Sequence, residues 1–236
     1  MGSLQKLVLI GGGTAVDEVG GLIDSINDAE KRYEVVGILD DRFEEAALSE
    51  RRYEVLGPLS IAGDLDSRIK FVFAIGSYGT RNLRHDIFEK CLLSEDRFET
   101  LIHPDVDVGL NAKIGSGSII HKGSIIGANV VIEDFCVVTY RCIIGSDVTV
   151  QRYSMIASGS VLLVGCLLGR ACFIGARSII GEGVKVGPCS MIVMGSVVMT
   201  NVKPGAAVMG YPAKRTLLQN GECNVSQYYL DDWSQV

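Results

Sequence analysis

The chain has 236 residues, of which 47% are hydrophobic and 21% are charged, and its formal net charge is −6. This composition excludes disordered, collagenous and coiled-coil proteins. No apolar run reaches the roughly 18 residues of a membrane span, no export signal is apparent at the start, and no basic cluster offers a surface to nucleic acid. We therefore expect a globular cytoplasmic protein with neither a membrane nor a nucleic acid as partner.

Cysteine usage supports the same compartment. The seven cysteines are odd in number and form no CxxC pair, which is typical of free thiols in a reducing cytosol. No group of His, Cys, Asp and Glu has the spacing of metal ligands, so we expect no metal.

The first hundred residues alternate strands and helices. Apolar segments at 7–10, 35–39 and 71–75 predict three strands, and apolar residues at helical spacing predict a helix over residues 15–26. This alternation indicates a small, Rossmann-like parallel α/β domain, in which ligands bind beyond the carboxyl ends of the strands.

The turn after the first predicted strand is Gly11-Gly12-Gly13-Thr14, and the second strand ends in Asp40-Asp41. The N–H groups of such a turn can hold a phosphate, and an acid after the second strand can hold a ribose hydroxyl. These residues therefore indicate a nucleotide site. Val16 stands where the dinucleotide pattern has its third glycine, which argues against a complete dinucleotide site, and a tight turn without a ligand is the alternative.

From about residue 106 to 200 the sequence repeats every six residues. An aliphatic side chain recurs at each sixth position from Val108 to Val198, glycine often follows it, and a small residue often precedes it by two positions. This period predicts short strands and tight turns that coil around a side-chain-filled axis, which is a parallel β-helix. We expect the glycines to supply turns in which a Cβ is strained. The cysteines of the repeat are expected to fill its core: Cys136, Cys142, Cys166 and Cys172.

Five motifs join the two halves: Gly11-Gly12-Gly13-Thr14, Ile38-Leu39-Asp40-Asp41, Ala74-Ile75-Gly76 followed by Arg81, Ile102-His103-Pro104, and Val208-Met209-Gly210-Tyr211-Pro212-Ala213-Lys214. On these motifs the chain resembles the bacterial hexapeptide-repeat sugar acyltransferases, in the group that N-acetylates nucleotide-linked amino sugars or O-acetylates sialic acid. The resemblance implies a nucleotide-sugar-binding α/β domain at 1–100, a left-handed β-helix acyltransferase domain at 101–210 and a C-terminal tail at 211–236.

The resemblance also implies the ligands and the assembly: acetyl-CoA as co-substrate, a nucleotide-linked amino sugar, and a homotrimer with active sites between subunits. Residues assigned to the sugar nucleotide are Gly11, Gly12, Gly13, Thr14, Asp40, Asp41, Ser77, Arg81, Thr139 and Tyr140. Residues assigned to acetyl-CoA are Met155, Gly175, Ala176, Lys203 and Lys214.

Acetyl transfer to an amine needs a neutral nucleophile, a proton acceptor and donors for the oxyanion. The histidine that the family usually uses as base falls on Ser146, so this chain departs from the pattern. Three interpretations are open. In the favoured one, Ser146, Asp147 or a water takes the proton while positioning supplies most of the rate. In the second, His121 is the base, and in the third the chain binds its ligands without catalysis.

We therefore expect an acetyl-CoA-dependent N-acetyltransferase, and the resemblance implies a UDP- or dTDP-linked 4-amino-4,6-dideoxy sugar in surface glycan synthesis as its substrate. O-acetylation of a sialic-acid-type sugar is the first alternative. It is less favoured because a hydroxyl is harder than an amine to activate without a histidine. The second alternative is a noncatalytic trimeric protein that binds a sugar nucleotide.

Overall fold

The computed structural model describes residues 4–45, 51–76 and 83–216. The chain divides into two compact units, Met1–Pro104 and Asp105–Val236. Among the described helices, none has the length and apolar character of a membrane span.

The first unit is a parallel α/β unit. Its elements are β1 (Gln5–Ile10), α1 (Ala15–Ala29), β2 (Tyr33–Leu39), β3 (Val55–Gly57), β4 (Lys70–Phe73), α2 (Leu83–Cys91) and β5 (Leu101–Ile102), with 3₁₀ turns at Leu59–Asp64 and Glu95–Arg97. Four strands form one sheet in the order β3-β2-β1-β4, and all their pairings are parallel. The predicted strands and helix are present, while the short β3 was not predicted.

Helix α1 forms because its apolar residues recur every three or four positions and share one face. All five predicted members of that face are buried: Val16, Val19, Leu22, Ile23 and Ile26. Two acidic residues, Asp17 and Glu18, lie in its first turn, where they complement the helix dipole. The helix therefore begins directly after the glycine-rich turn and directs its first N–H groups toward the carboxyl end of β1.

The second unit begins with a regular solenoid. Between residues 107 and 198, all of which the structure describes, there are sixteen two-residue strands at three to a coil, hence slightly more than five coils. They are β6 (Asp107–Val108), β7 (Lys113–Ile114), β8 (Ile119–Ile120), β9 (Ile125–Ile126), β10 (Val131–Ile132), β11 (Val137–Val138), β12 (Ile143–Ile144), β13 (Thr149–Val150), β14 (Met155–Ile156), β15 (Val161–Leu162), β16 (Leu167–Leu168), β17 (Phe173–Ile174), β18 (Ile179–Ile180), β19 (Lys185–Val186), β20 (Met191–Ile192) and β21 (Val197–Val198).

The coils stack with an 18-residue register, so that Val137 pairs with Ile119 on one side and with Met155 on the other. Three parallel faces result: face 1 (β7-β10-β13-β16-β19), face 2 (β8-β11-β14-β17-β20) and face 3 (β6-β9-β12-β15-β18-β21). This is the predicted left-handed parallel β-helix, and the predicted fold class is confirmed.

The repeat's aliphatic residues form the core from Ile120 onward, where each is buried. Val108 differs from the prediction, with 43% of its surface exposed, because β6 lies at the end of its sheet. Small residues stack inside the coils. The Ser118 hydroxyl donates to the Glu133 carbonyl (2.9 Å) and accepts the Cys136 N–H (3.0 Å) one coil further on.

The cysteines of the repeat are core residues, as predicted. All six described cysteines of the chain are free and buried. Burial raises the pKa of Cys142 to about 11 and that of Cys166 to about 12, so both stay neutral thiols. Cys223 lies outside the described residues.

The glycine that directly follows an aliphatic residue of the repeat is required by the closeness of the next coil. Gly145 does not have a positive φ, and a Cβ there would lie 2.9 Å from the Leu162 carbonyl oxygen and the Val164 nitrogen of the next coil. The positive φ of the turn belongs to Asp147, at 59°. Glycine directly after the aliphatic residue therefore allows close approach between coils, while other glycines of the repeat, such as Gly123 (φ 72°) and Gly165 (φ 67°), supply the positive φ of the turns.

The described part of the second unit ends in a hairpin of β22 (Ala207–Gly210), which extends face 2, and β23 (Ala213–Arg215), which pairs with β22 in antiparallel fashion. The predicted tail thus begins within this hairpin and not after it. Its residues 217–236 lie outside the described part of the chain.

Candidate active site

The glycine-rich turn of the first unit is held by Asp40. The Gly12 N–H donates to Asp40 Oδ2 (2.6 Å), and Arg42 donates its backbone N–H (2.8 Å) and two guanidinium N–H groups (3.1 and 3.0 Å) to the same carboxylate. Asp40 is only 7% exposed. Burial alone raises its pKa, but the bonds from Arg42 and Gly12 outweigh burial and hold the pKa of Asp40 below its usual range.

Asp41 also bonds within the unit. Its Oδ1 accepts the Leu59 N–H (3.1 Å), and its Oδ2 lies 3.5 Å from Lys90 Nζ. The predicted acid pair therefore positions the loops around the carboxyl ends of β1 and β2. Arg42, which the sequence analysis did not single out, presents the exposed charge at this edge, with about half of its side chain accessible.

Gly13 is half-buried and Thr14 is exposed, at the start of α1. Neither backbone N–H donates to another described residue, and Thr14 makes no side-chain cap on α1. A Cβ added to Gly13 would meet no atom within 4 Å. Unpaired N–H groups at a helix start bind anions, so this turn has the geometry that a phosphate requires. The predicted Ser77 and Arg81 lie outside the described residues.

We call the turns that follow face 2 the histidine edge: residues 121–124, 139–142, 157–160 and 175–178. His121 lies one coil from Thr139, and its N–H donates to the Val138 carbonyl (2.8 Å). Its ring packs against that of Tyr140 in a tilted arrangement, with centroids 4.7 Å apart and planes at 41°. His121 is 4% exposed whereas Tyr140 is 37% exposed, so the tyrosine covers the histidine.

Thr139 uses its hydroxyl within the same edge. The hydroxyl donates to the Ile156 carbonyl (3.1 Å) and lies 3.0 Å from Ser158 Oγ. Two residues assigned to acetyl-CoA, Gly175 and Ala176, belong to this edge two coils further on. The histidine edge therefore carries residues predicted for both ligands.

A cleft of about 360 Å³ opens on the histidine edge. Its walls are formed by Asp105, Lys122, Gly123, Tyr140 and Arg141. The sequence analysis missed Lys122 and Arg141. The 18-residue register was the signal that could have found them, because it stacks Lys122 on Tyr140 and Gly123 on Arg141 in successive coils.

We call the turns that follow face 3 the asparagine edge: residues 109–112, 127–130, 145–148 and 163–166. Here Asn111 Nδ2 donates to Asn129 Oδ1 (3.2 Å), and Asn129 Nδ2 donates to Asp147 Oδ1 (3.0 Å). Asp147 thus ends a ladder of side chains, and Ser146 precedes it in the same turn. The structure does not bring Ser146 and Asp147 to His121 within one copy of the chain, because face 3 separates the two edges.

The remaining residues assigned to acetyl-CoA are dispersed. Met155 is buried on face 2, where it pairs with Val137 and Phe173. Lys203 and Lys214 are exposed near the C-terminal hairpin. No group of His, Cys, Asp and Glu within the described ranges is placed to hold a metal ion.

Two family models match the chain in succession. Residues 6–90 match the PglD N-terminal domain, and residues 99–207 match the GMPPB C-terminal domain. The UDP-N-acetylbacillosamine N-acetyltransferase of Bacillus subtilis (strain 168) is 27% identical over 117 residues. That match covers 50% of this chain and 51% of the relative, so the chain spans about half the length of the curated relative it matches.

Solved structures reproduce the whole fold. The acetyltransferase domain of PglB from Neisseria gonorrhoeae FA1090, in complex with acetyl coenzyme A, has a TM-score of 0.78 at 24% identity, covering 91% of this chain and 100% of that one. PerB from Caulobacter crescentus, in complex with CoA and GDP-perosamine, has a TM-score of 0.76 at 22% identity, covering 91% and 98%.

An α/β unit followed by a left-handed β-helix is the architecture of these acetyltransferases. These similarities support the resemblance that the sequence motifs indicated: the first unit is similar to the PglD N-terminal domain, and the curated relative is named as a sugar-nucleotide N-acetyltransferase.

Proposed function

We propose that this protein is a cytoplasmic, acetyl-CoA-dependent N-acetyltransferase of a nucleotide-linked amino sugar, a UDP- or dTDP-linked 4-amino-4,6-dideoxy sugar used in surface glycan synthesis. The match of residues 6–90 to the PglD N-terminal domain carries this proposal. The Bacillus relative is named as an N-acetyltransferase of a related sugar nucleotide, and the two solved relatives hold acetyl coenzyme A or CoA with GDP-perosamine.

The first unit binds the nucleotide in this proposal. The unpaired N–H groups of Gly13 and Thr14 face a phosphate at the start of α1, and Asp40 keeps the turn in shape through Gly12. Because the Asp40 carboxylate is saturated by protein donors, Asp40 acts as a positioning residue. In this proposal, the Arg42 guanidinium, which Asp40 holds in place, contacts the ligand.

His121 is the proton acceptor that we assign to the reaction. Its ring packs at a tilt against Tyr140, and it lies one coil from Thr139. Asp147, by contrast, already accepts a hydrogen bond from Asn129. The sugar amine attacks the thioester carbon of acetyl-CoA, the N–C bond forms and the C–S bond breaks. The nitrogen's proton passes to His121 and then to the leaving CoA thiolate.

A homotrimer completes the proposal. Face 3 presents a row of exposed isoleucines, Ile125 at 45%, Ile143 at 44% and Ile179 at 37%, which is apolar surface of the kind that marks an interface. Face 3 lies between the two edges. A ring in which face 3 of one copy packs on the next copy therefore sets the asparagine edge of one subunit beside the histidine edge of its neighbour.

The test is release of free thiol from acetyl-CoA by the purified protein with a panel of amino-sugar nucleotides and sialic acids. We expect saturable turnover with an amino-sugar nucleotide. Turnover with a sialic acid but with no amino-sugar nucleotide would identify the protein as a sugar O-acetyltransferase and contradict the proposed N-acetylation. Binding of a sugar nucleotide without any acetyl-CoA binding would identify a noncatalytic protein, the alternative favoured by the serine at the family's histidine position.

A further inference from the structure

The turns that follow face 1 form the third edge of the solenoid, which we call the aromatic edge: residues 115–118, 133–136, 151–154, 169–172 and 187–190. The third residue of each turn is its tip, and the five tips have a positive φ between 53° and 65°. All five tips are buried: Gly117, Phe135, Tyr153, Ala171 and Cys189.

The same tip position is open on the other two edges. Asn111, Asn129 and Asp147 are exposed on the asparagine edge, and Arg141 and Arg177 are exposed on the histidine edge. Coils that stack above and below a turn thus leave the outer side of its tip accessible. Burial of every tip on the aromatic edge therefore requires further residues of the chain on the outer side of that edge.

The aromatic edge presents two stacked rings. Phe135 and Tyr153 lie on successive coils with ring centroids 5.4 Å apart and planes at 6°. The guanidinium carbon of Arg152 lies 5.7 Å from the Phe135 centroid and 5.6 Å from the Tyr153 centroid. Phe135 is 0% exposed and Tyr153 is 1% exposed. The segment that covers these rings must therefore supply apolar or aromatic side chains.

The charge of the aromatic edge changes along its length. Its two carboxylates, Glu133 and Asp134, each accept a backbone N–H, at 3.0 and 2.7 Å. The later turns, 169–172 and 187–190, contain Arg170 and no acidic residue. The later half of the edge therefore favours an acidic partner.

The described chain reaches its last residue at the end of this same edge. The turn 203–206 continues the edge, since the Gly205 N–H donates to the Pro188 carbonyl (2.9 Å). Ala207 follows that turn, and its carbonyl accepts the Thr216 N–H (2.9 Å). Residues 217–236 belong to the second unit and follow directly from this point.

The segment 217–236 has the length and the side chains that the edge requires. Five coil steps separate the tip Gly117 from Gly205, about 24 Å in all, and twenty extended residues span up to about 66 Å. The segment contains three aromatic residues: Tyr228, Tyr229 and Trp233. It contains three acidic residues, Glu222, Asp231 and Asp232, and neither Lys nor Arg.

We propose that residues 217–236 lie along the aromatic edge and cover it, with their aromatic side chains against Phe135 and Tyr153 and an acidic side chain near Arg170. The occupant is a segment of the same chain, because the tips are buried within one copy. The proposal does not depend on acetyl transfer.

The first measurement is alkylation of the full-length protein by iodoacetamide, with the labelled cysteines located by mass spectrometry. Cys189 reports on the cover because it is a buried tip, and Cys166 reports on the interior of the coils. In a variant with Tyr228→Ser, Tyr229→Ser and Trp233→Ser, Cys189 should react about tenfold faster or more than in the unaltered protein, and Cys166 should stay protected.

The control for alkylation changes three polar residues of the same segment, Gln219→Ser, Gln227→Ser and Gln235→Ser, and should leave Cys189 protected. Unchanged reactivity of Cys189 in the aromatic variant would overturn the proposal. Equal acceleration at Cys166 would also overturn it, because the coils would then open as a whole and not at one edge.

The second measurement uses the fluorescence of Trp233, the single tryptophan of the chain. In the unaltered protein we expect acrylamide to quench Trp233 less than in the protein unfolded by guanidinium. Arg170→Glu should shift the emission to longer wavelength and increase quenching, because it places an acid beside an acidic segment. Arg177→Glu, at an exposed tip of the histidine edge, should change neither.

Three results of the fluorescence measurement would overturn the proposal. The first is quenching of Trp233 in the folded protein as strong as in the unfolded chain. The second is an unchanged Trp233 signal in Arg170→Glu, and the third is an equal change in Arg177→Glu.

Discussion

The two edges that border face 3 share one backbone and differ in their side chains. Arg141 on the histidine edge and Asp147 on the asparagine edge occupy the same turn position, with φ of 55° and 59°. On the asparagine edge the polar groups bond to one another from coil to coil. On the histidine edge Tyr140, Lys122 and Arg141 line an open cleft with Asp105, and the buried His121 ring lies against Tyr140.

This difference indicates that the asparagine edge stabilises the coils and that the histidine edge serves ligand binding and the reaction. Polar groups that satisfy one another along a stack add to the cohesion of the coils, because each hydrogen bond joins one coil to the next. Groups that line a cleft remain available to a ligand. Substitutions of the exposed side chains of the cleft should therefore change ligand binding or catalysis with little effect on folding, and substitutions in the asparagine ladder should do the reverse.

The largest effect on assembly and turnover is expected from a substitution on face 3, which lies between the two edges. Ile143→Arg places a charge in the apolar row of face 3, and in the proposed trimer that charge is buried without a partner. We expect the trimer to dissociate and turnover to be lost. Light scattering coupled to size exclusion measures the mass in solution, and the thiol-release assay measures turnover.

Thr149→Arg is the matched control, because Thr149 is the first residue of β13 as Ile143 is of β12 and points outward from face 1. It should leave both mass and turnover unchanged. A trimer that survives Ile143→Arg would place the interface elsewhere, and the edges would then lose their proposed meeting across subunits.

The second-largest effect is expected on the turnover rate, and it should differ between the two edges. His121→Asn removes the assigned proton acceptor while keeping a polar side chain of similar reach, so kcat should fall by about 10²- to 10⁴-fold. The acidic limb of the pH–rate profile, which a histidine base produces, should disappear with it. Thermal unfolding should change little.

Ser146→Ala provides the comparison on the other edge, and kcat should fall there by less than about tenfold. The opposite ranking, with Ser146→Ala the more damaging change, would move the chemistry to the asparagine edge. Unchanged rates in both variants would leave a water as proton acceptor.

The sequence alone predicts most of the fold because its periods are those of the structure. A six-residue repeat of aliphatics leads directly to the buried column from Ile120 to Val198, and the three- and four-residue spacing of Val16 to Ile26 leads to the buried face of α1. Such spacing reports which side chains share a face, and burial follows from that. The spacing does not show which individual atoms form hydrogen bonds with one another.

The candidate site is harder to predict, because spacing along the sequence does not show which individual side chains meet. Asp40 was expected to meet a ribose, but its partners are Gly12 and Arg42, which only the folded turn brings to it. Lys122 and Arg141 are 19 positions apart and become neighbours through the register of the coils. Ser146 was inferred from an alignment of motifs, which carries no information about the separation of the two edges by face 3.

The smallest effect should come from the asparagine ladder. Asn129→Ala removes both side-chain bonds of the ladder, to Asn111 and to Asp147, and puts a Cβ-bearing residue without a polar group at a φ of 58°. The loss of the bonds and the left-handed backbone together should cost about 2 kcal/mol of unfolding free energy. Denaturant titration measures this loss, and kcat should stay within about twofold because the histidine edge is untouched.

Asn129→Gly separates the two causes. Glycine already occupies the equivalent position 165 of the same edge with a φ of 67°, and position 183 in the next coil with a φ of 65°, so it accepts the backbone without strain. This variant should lose only the ladder bonds and be more stable than Asn129→Ala. If instead both variants fold as stably as the unaltered protein but lose turnover, the asparagine edge supports the reaction directly, and the division between a stabilising edge and a chemical edge is wrong.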